Sequence, residues 1–224
     1  MTVSGPSPVI VLDFDGTVTE KDIGDEVCDR FAPPAWRDID AAWIRNEISL
    51  PEAQRRMWAL ARAERHEALA YAHEIGHLRG GLDELMTSCV ARGSELWLAS
   101  GGFDFYIEGI LGERLRRFSR VYCNRAHFAN GNIAVEFPHT AIACARCAVC
   151  KGNVCDEARV DAAGERRQVI FIGDGSSDRC AIGRADRLFA VRDSLLARTC
   201  DERGAAYTPF DSLAEVSAAL SLRI

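Results

Sequence analysis

Four short, largely apolar runs, each followed by small or polar residues, constrain the fold of this chain most strongly. The runs are Val9-Ile10-Val11-Leu12, 95–99, 168–172 and 187–191. A run that is apolar at every position, such as the first, is typical of a strand buried on both faces of a parallel sheet. Helical patterns follow the first three runs, and strands that alternate with helices predict an α/β fold. We therefore expect a Rossmann-like core, a parallel sheet with helices on both faces.

The stretch 19–87 breaks this alternation. It contains no strand-like run, and its apolar residues recur at the spacing of amphipathic helices. Its helical patterns are interrupted by helix breakers at Pro33-Pro34, Pro51 and Gly80-Gly81. We predict that 19–87 forms a helical cap, inserted into a core that consists of 1–18 and 88–224.

The composition excludes several classes of protein. The chain has 224 residues, of which 48% are hydrophobic, enough for a buried core and too many for a disordered chain. Its 27 basic and 33 acidic residues give a net charge of −6, which leaves no overall basic field for nucleic acid. No apolar run approaches the ~18 residues that span a bilayer, and the first residues lack a secretion-signal pattern. We expect a cytoplasmic protein that binds neither nucleic acid nor membranes, and the oligomeric state stays open.

Two carboxylates follow the first strand directly, in the sequence Asp13-Phe14-Asp15-Gly16-Thr17. This position is the carboxyl edge of a parallel sheet, where open α/β folds bind ligands. In a regular strand both carboxylates would point to the same face. Asp13 and Asp15 can have different roles only if the chain turns after Asp13, and Gly16 eases such a turn.

Three further motifs come later in the chain. Ser100-Gly101-Gly102 ends the second run, Gly173-Asp174 with Asp178 ends the third, and Lys151 opens a predicted helix between them. Two acidic loops at one sheet edge can hold Mg²⁺, which prefers oxygen ligands. A cation, a hydroxyl and a lysine can neutralise phosphate oxygens, and a carboxylate can attack the phosphorus. The motifs together predict a phosphoryl-transfer site.

In this order, the four motifs resemble those of the haloacid dehalogenase superfamily of aspartate-nucleophile phosphatases. The resemblance implies that Asp13 is the nucleophile and Asp15 the general acid and base. It also implies a set of binding residues: Ser100, Gly101 and Lys151 for phosphate, Asp13, the backbone carbonyl of Asp15 and Asp174 for Mg²⁺, and Asp178 behind the metal ligands. The helical insert resembles the bundle-type cap of the phosphoserine-phosphatase-like branch.

Within that branch, scattered segments resemble the 2-hydroxy-3-keto-5-methylthiopentenyl-1-phosphate phosphatases of methionine salvage. These segments are 31–36, 100–106, 121–124 and Pro138-His139 with the cysteine-rich stretch that follows it. The resemblance implies a small phosphorylated metabolite as substrate, with the methionine-salvage enol phosphate as the specific expectation. Three alternatives stay open: a phosphoserine-like or other small phosphomonoester phosphatase, a phosphotransferase, and a non-catalytic binding protein.

The cap is expected to select the leaving group. In phosphoserine phosphatases, an acidic residue nine positions after the nucleophile and a cap arginine read the amino acid head group. Asp22 and Arg56 match those places here, so the resemblance implies that they contact the substrate. The alternative is that both belong to solvated faces of cap helices, where charged residues are common.

Nine cysteines are an odd number, so they cannot all pair within the chain. Four of them, Cys144, Cys147, Cys150 and Cys155, fall within twelve residues and have a spacing that can ligate a soft metal. A structural zinc site is one interpretation. Ordinary reduced thiols in a packed loop, or a redox-labile disulfide, are the alternatives.

Overall fold

The computed structural model describes residues 6–221. Its sheet has seven strands in the order β4-β3-β2-β1-β5-β6-β7, and all neighbouring strands are parallel except β3 and β4. The strands are β1 Val9–Leu12, β2 Glu95–Phe103, β3 Arg120–Ala129, β4 Asn132–Glu136, β5 Val169–Gly173, β6 Arg187–Val191 and β7 Thr208–Phe210. The predicted Rossmann-like α/β fold is confirmed.

Helices connect these strands. The α-helices are α1 Ile23–Phe31, α2 Trp36–Ile44, α3 Leu50–Leu60, α4 Arg65–Ile75, α5 Leu82–Ala91, α6 Asp104–Leu111, α7 Lys151–Ala158, α8 Leu195–Arg203 and α9 Leu213–Ser221. Short 3-10 helices lie at Gly112–Arg117, Thr140–Ile142 and Ser176–Ala181. Within the described part of the chain, no helix is long and apolar enough to cross a membrane.

Strand β1 lies at the centre of the sheet and is buried along its whole length. Its side chains alternate between the two faces, as the pleat requires. Ile10 and Leu12 belong to one apolar cluster, the cap-side cluster, which also includes the buried residues of the inserted helices. Val9 and Val11 belong to a second, the far-side cluster, which packs against α7 and α8. Both faces of β1 are therefore covered, which explains why its sequence is apolar at every position.

The four helices α1–α4 lie between β1 and β2 in the chain and cover one end of the cap-side cluster. Trp58 of α3 connects them to the sheet, because its ring lies 4.6 Å from that of Phe103 and 6.0 Å from that of Phe105, centroid to centroid. This packing holds the inserted helices above the carboxyl edge of the central strands.

Helix α5 packs against α9 and β2, and thus against the core. The predicted boundary at residue 87 falls inside this helix, and we propose that the cap ends at Gly80-Gly81 instead, where helix α5 is about to begin. A composition change cannot place this boundary, because a core helix on the sheet and a cap helix have similar apolar patterns. Residues 1–5 and 222–224, which the prediction assigned to the core, lie outside the described residues.

Gly81→Ala should destabilise the fold, whereas Gly80→Ala should not. Gly81 has φ +91°, and a Cβ there would lie 2.0 Å from the backbone nitrogen of Ala214. A Cβ at Gly80 meets no atom within 4 Å. We expect Gly81→Ala to lower the free energy of unfolding by about 2 kcal/mol or more, measured by urea denaturation. Equal effects of the two substitutions would contradict the close approach of α9 to this turn.

Candidate active site

The sheet brings the predicted motifs to one edge. Leu12 pairs with Leu98 of β2 and with Ile172 of β5, so the residues that follow these three strands lie side by side. They border a cavity of ≈ 190 Å³ between the sheet edge and the cap helices. Its core-side lining includes Asp13, Asp15, Gly101, Gly102, Lys151 and Asp174, whereas Ser100 and Asp178 are fully buried behind it.

The Lys151 ammonium lies fully buried beneath this cavity, at the first position of α7. Its Nζ lies 3.1 Å from Oδ1 of Asp13 and 3.3 Å from Oδ1 of Asp178, and it donates to Oγ of Ser177 at 2.5 Å. Burial alone would lower the pKa of Lys151, but the two carboxylates outweigh it and raise that pKa. Lys151 therefore stays charged and available to a phosphate group.

Asp13 carries a strongly perturbed carboxyl group. Burial, followed by repulsion from Asp178, raises its pKa to about 7, although Lys151 acts in the opposite direction. Carboxylate oxygens of Asp13, Asp174 and Asp178 all lie within 4.8 Å of one another. One lysine cannot balance three such carboxylates, so the site has an excess of negative charge and a set of hard oxygen donors. That combination fits Mg²⁺.

The fourth-motif loop is shaped by Asp178. Its Oδ2 accepts hydrogen bonds from the backbone N–H groups of Asp174 (2.8 Å) and Gly175 (2.9 Å). Thr17 donates its hydroxyl to Oδ1 of Asp174 at 2.9 Å. Burial and repulsion from Asp13 raise the pKa of Asp174 well above its ordinary value. Asp178 thus positions the loop and pairs with Lys151, while Asp174 faces the cavity.

Asp15 has entirely different partners from Asp13. Its Oδ1 accepts the backbone N–H of Ile23 at 3.1 Å, and its Oδ2 accepts the hydroxyls of Tyr106 at 3.0 Å and Ser100 at 3.3 Å. Strand β1 ends at Leu12, so neither carboxylate lies in the regular strand, and the turn that begins at Asp15 continues through Gly16 at φ +74°. Burial, followed by repulsion from Asp22 and Asp13, raises the pKa of Asp15 well above its ordinary value. A carboxyl group of this kind can hold a proton near neutral pH and donate it.

The second motif continues strand β2 instead of forming the loop that its glycines predict. The backbone stays extended through Ser100, with a register shift before Phe103. The carbonyl of Gly101 accepts two side-chain amides, Nε2 of Gln54 at 2.7 Å and Nδ2 of Asn124 at 2.6 Å. These bonds fix the backbone beside the cavity.

Gly102 allows the close approach of Asp15 and Tyr106. A Cβ at this position would lie 1.8 Å from the Tyr106 hydroxyl and 2.4 Å from Oδ2 of Asp15. The Gly102 N–H also donates to Oγ of Ser100 at 2.8 Å, so the Ser100 hydroxyl is oriented at this point of the strand. Any larger residue would displace the predicted acid and base.

The two predicted substrate residues of the cap have different locations. Asp22 lines the cavity and caps α1, where its Oδ1 accepts the N–H of Asp25 at 2.9 Å. Arg56 is not among the cavity-lining residues, and its guanidinium pairs with Glu52 one turn away at 2.6 Å with about half of the side chain exposed. The structure therefore places Asp22 at the cavity and Arg56 on a solvated face of α3.

The four cysteines of the predicted zinc set do not all lie together. Cys144 and Cys150 lie beside Cys180, with all three sulfurs within 4.8 Å of one another, and Cys147 lies near Cys150 and Cys180. Cys155 is instead buried in the far-side cluster. Because α7 begins directly after Cys150, residue 155 lies one helical turn further on, packed toward the sheet.

The sequence profile of the haloacid dehalogenase-like hydrolases matches residues 10–182, which is most of the chain and includes all four motifs. The chain belongs to the haloacid dehalogenase-like hydrolase family. Phosphatases of this family generally use Mg²⁺, in agreement with the donor set of Asp13, Asp174 and Asp178.

Named relatives of this hydrolase are phosphatases. The 2-hydroxy-3-keto-5-methylthiopentenyl-1-phosphate phosphatase of Bacillus velezensis is 32% identical over 94% of this chain and 88% of that protein. The enzyme of the same name from Exiguobacterium sibiricum is 30% identical over 92% of this chain and 93% of that protein. A solved substrate-bound phosphoserine phosphatase complex shares the fold, with a TM-score of 0.69 at 17% identity over 95% of this chain and 98% of that one. The prediction of a phosphoric monoester hydrolase is confirmed.

Several residues that shape the site of this hydrolase were missed by sequence reasoning. They act by holding the predicted residues: Thr17 holds Asp174, Tyr106 holds Asp15, Ser177 holds Lys151, and Gln54 and Asn124 hold Gly101. Tyr106 is an aromatic residue of α6 with a buried ring, and its place in the sequence does not indicate the bond that its hydroxyl makes. Gln54 and Asn124 carry no local signal, because their bonds join them to Gly101 over separations of 47 and 23 residues.

Tyr106→Phe should change the proton transfer of this hydrolase while it leaves the fold intact. The Tyr106 hydroxyl favours the charged form of Asp15, so its loss should raise the pKa of Asp15 further. We expect kcat to fall about tenfold and the alkaline limb of the pH–rate profile to move to higher pH. Tyr207→Phe, which removes an exposed hydroxyl near Asp201, is the control. An unshifted profile in Tyr106→Phe would exclude this positioning role.

Proposed function

We propose that the protein is a Mg²⁺-dependent phosphatase of the cytoplasm, which hydrolyses a small phosphorylated metabolite through a phosphoryl group carried on Asp13. The observation that carries the proposal is the pairing of two differently held carboxylates at one cavity. Asp13 touches the buried ammonium of Lys151 at 3.1 Å, whereas Asp15 accepts only neutral donors. The ammonium works against the rise in the pKa of Asp13 and so opposes its protonation, as a nucleophile requires. The neutral surroundings of Asp15 favour a proton donor.

Each residue has a defined task in the first step. Lys151 and the Ser100 hydroxyl bind the phosphate oxygens and orient the phosphorus toward Asp13. A carboxylate oxygen of Asp13 forms a bond to phosphorus as the bond to the leaving oxygen breaks, and Asp15 gives its proton to that oxygen. The raised pKa of Asp15 favours this donation, because a carboxyl of ordinary pKa would already be ionised at neutral pH.

The second step reverses the proton transfer. Asp15, now ionised, accepts a proton from a water molecule, whose oxygen forms the new bond to phosphorus. The bond between phosphorus and Asp13 breaks, which releases phosphate and restores the carboxylate. Asp13, the backbone carbonyl of Asp15 and Asp174 would hold Mg²⁺, with Asp178 behind them. When bound, the ion neutralises part of the charge on the phosphoryl group.

The apolar part of the cap favours a methylthio substrate. Five residues of α2 and α3 line the cavity with carbon and sulfur: Trp43, Ile44, Leu50, Met57 and Trp58. A methylthio group gains favourable contacts with aromatic rings and methionine. Together with the relatives named above, this wall supports the methionine-salvage enol phosphate as the substrate.

The acidic part of the cavity supports a second candidate. Asp22, Asp25 and Asp40 also line it, and burial together with repulsion from its two neighbours raises the pKa of Asp25. A substrate with an ammonium group would relieve this repulsion, whereas the enol phosphate has no positive group. This observation favours a phosphoserine-like amino substrate as the alternative.

Asp13→Asn should abolish phosphate release. The amide lacks the negative charge needed to attack phosphorus, and we expect kcat to fall by at least about 10³-fold, with the thermal midpoint near that of the parent. EDTA should silence the parent, and added Mg²⁺ should restore it. The measurement is inorganic phosphate released from a panel of phosphomonoesters. Substantial turnover by Asp13→Asn would exclude the nucleophile, and phosphate recovered on an alcohol acceptor would identify a phosphotransferase.

Asp25→Asn should separate the two candidate substrates. With the enol phosphate, we expect kcat/KM to stay within about twofold of the parent, because this substrate has no positive group for Asp25 to attract. With phosphoserine, a drop of about tenfold or more would show that Asp25 attracts the ammonium group. Asp38→Asn, at an exposed position of α2, is the control. A parent that hydrolyses phosphoserine better than the enol phosphate would overturn the methionine-salvage assignment.

A further inference from the structure

A cluster of four cysteines lies below the cavity and is not used by the proposed chemistry. Cys144 and Cys147 belong to the loop before α7, Cys150 caps α7, and Cys180 lies in the 3-10 helix Ser176–Ala181 of the fourth motif. The sulfurs of Cys144, Cys150 and Cys180 are all within 4.8 Å of one another. Cys147 lies near Cys150 and Cys180. Two sequence segments therefore converge on one sulfur cluster.

Backbone contacts hold these sulfurs in place. The Cys144 N–H donates to the carbonyl of Cys147 at 2.9 Å, which closes a tight turn over the C-x-x-C pair. Within this turn, the N–H of Arg146 donates to the sulfur of Cys144 at 3.4 Å. Cys150 occupies the N-cap position of α7, so its backbone is fixed at the start of that helix.

We propose that Cys144, Cys147, Cys150 and Cys180 bind one structural zinc ion through four thiolates. Zinc is the metal that four sulfurs in a closed tetrahedral site typically hold. A zinc–sulfur bond of about 2.3 Å places tetrahedral sulfurs about 3.8 Å apart. The sulfurs of Cys144, Cys150 and Cys180 lie within 4.8 Å of one another, and Cys147 would complete the set from the same loop. Each thiol loses its proton to solvent when the metal binds, so the redox state of the cysteines is unchanged.

The position of this site gives it a consequence for the cavity. Cys150 is bonded directly to Lys151, whose ammonium contacts Asp13. Cys180 is two residues from Asp178, which pairs with the same lysine. The zinc would thus join the third motif to the fourth and fix the distance between the lysine and its two carboxylates. The zinc would thus stabilise the phosphate site on the side of Lys151, and the cap covers the opposite side.

The zinc content of purified variants tests this proposal without any reference to activity. The chain is purified under reducing conditions without added metal, and its metals are measured by mass spectrometry. We expect about one zinc per chain in the parent and a loss of most of it in Cys180→Ser. Cys155→Ser, which removes a buried thiol outside the cluster, should keep its zinc. Asp174→Asn should also keep it, which excludes zinc bound adventitiously at the carboxylates.

A second measurement on the parent remains decisive even if Cys180→Ser fails to fold. A mercurial reagent that binds thiols should release the zinc to a coloured chelator as the clustered thiols are titrated. Protein grown with cobalt should show the visible bands and sulfur charge-transfer absorption of tetrahedral thiolate coordination. A metal-free parent, iron in place of zinc, a disulfide among the four cysteines, or equal zinc loss in Cys155→Ser would each overturn the proposal. None of these results depends on the phosphatase assignment.

Discussion

The buried ammonium of Lys151 is the interaction on which the rest of the site depends. It is fully inaccessible to solvent and lies between the carboxylates of Asp13 and Asp178. Removing the lysine would leave two buried carboxylates uncompensated, at a typical cost of about 3–5 kcal/mol. The lysine therefore fixes the first, third and fourth motifs relative to one another before any ligand arrives. The remaining negative charge can be balanced by a divalent cation.

The sheet edge and the cap contribute different parts of the recognition site. The sheet edge supplies charge, because three parallel strands end there side by side. The inserted helices supply shape, with an apolar wall from α2 and α3 and an acidic wall around Asp22. Trp58 and the amides on Gly101 connect the two parts, so a change in the cap reaches the phosphate site through packed contacts.

Much of this arrangement could be predicted from the sequence, since it rests on local rules. A strand that is apolar at every position must lie inside a parallel sheet, and this alone brings Asp13 and Asp174 to one edge. The partners that come from distant segments could not be predicted. Cys180, and not Cys155, lies beside Cys144 and Cys150, because α7 turns residue 155 toward the sheet. Arg56 lies on the exposed face of α3, where it pairs with Glu52. Both positions depend on which side of its helix a residue faces, and composition does not show this.

The most direct test of the central claim is the identity of the phosphorylated residue. The enzyme is mixed with excess phosphomonoester, quenched in acid within one turnover, and digested for mass spectrometry. We expect one phosphoryl group on the peptide that contains Asp13, labile to hydroxylamine as an acyl phosphate is. We expect no such label on Asp13→Asn. A phosphoryl group on a histidine or serine, or turnover without any phosphorylated enzyme, would contradict it.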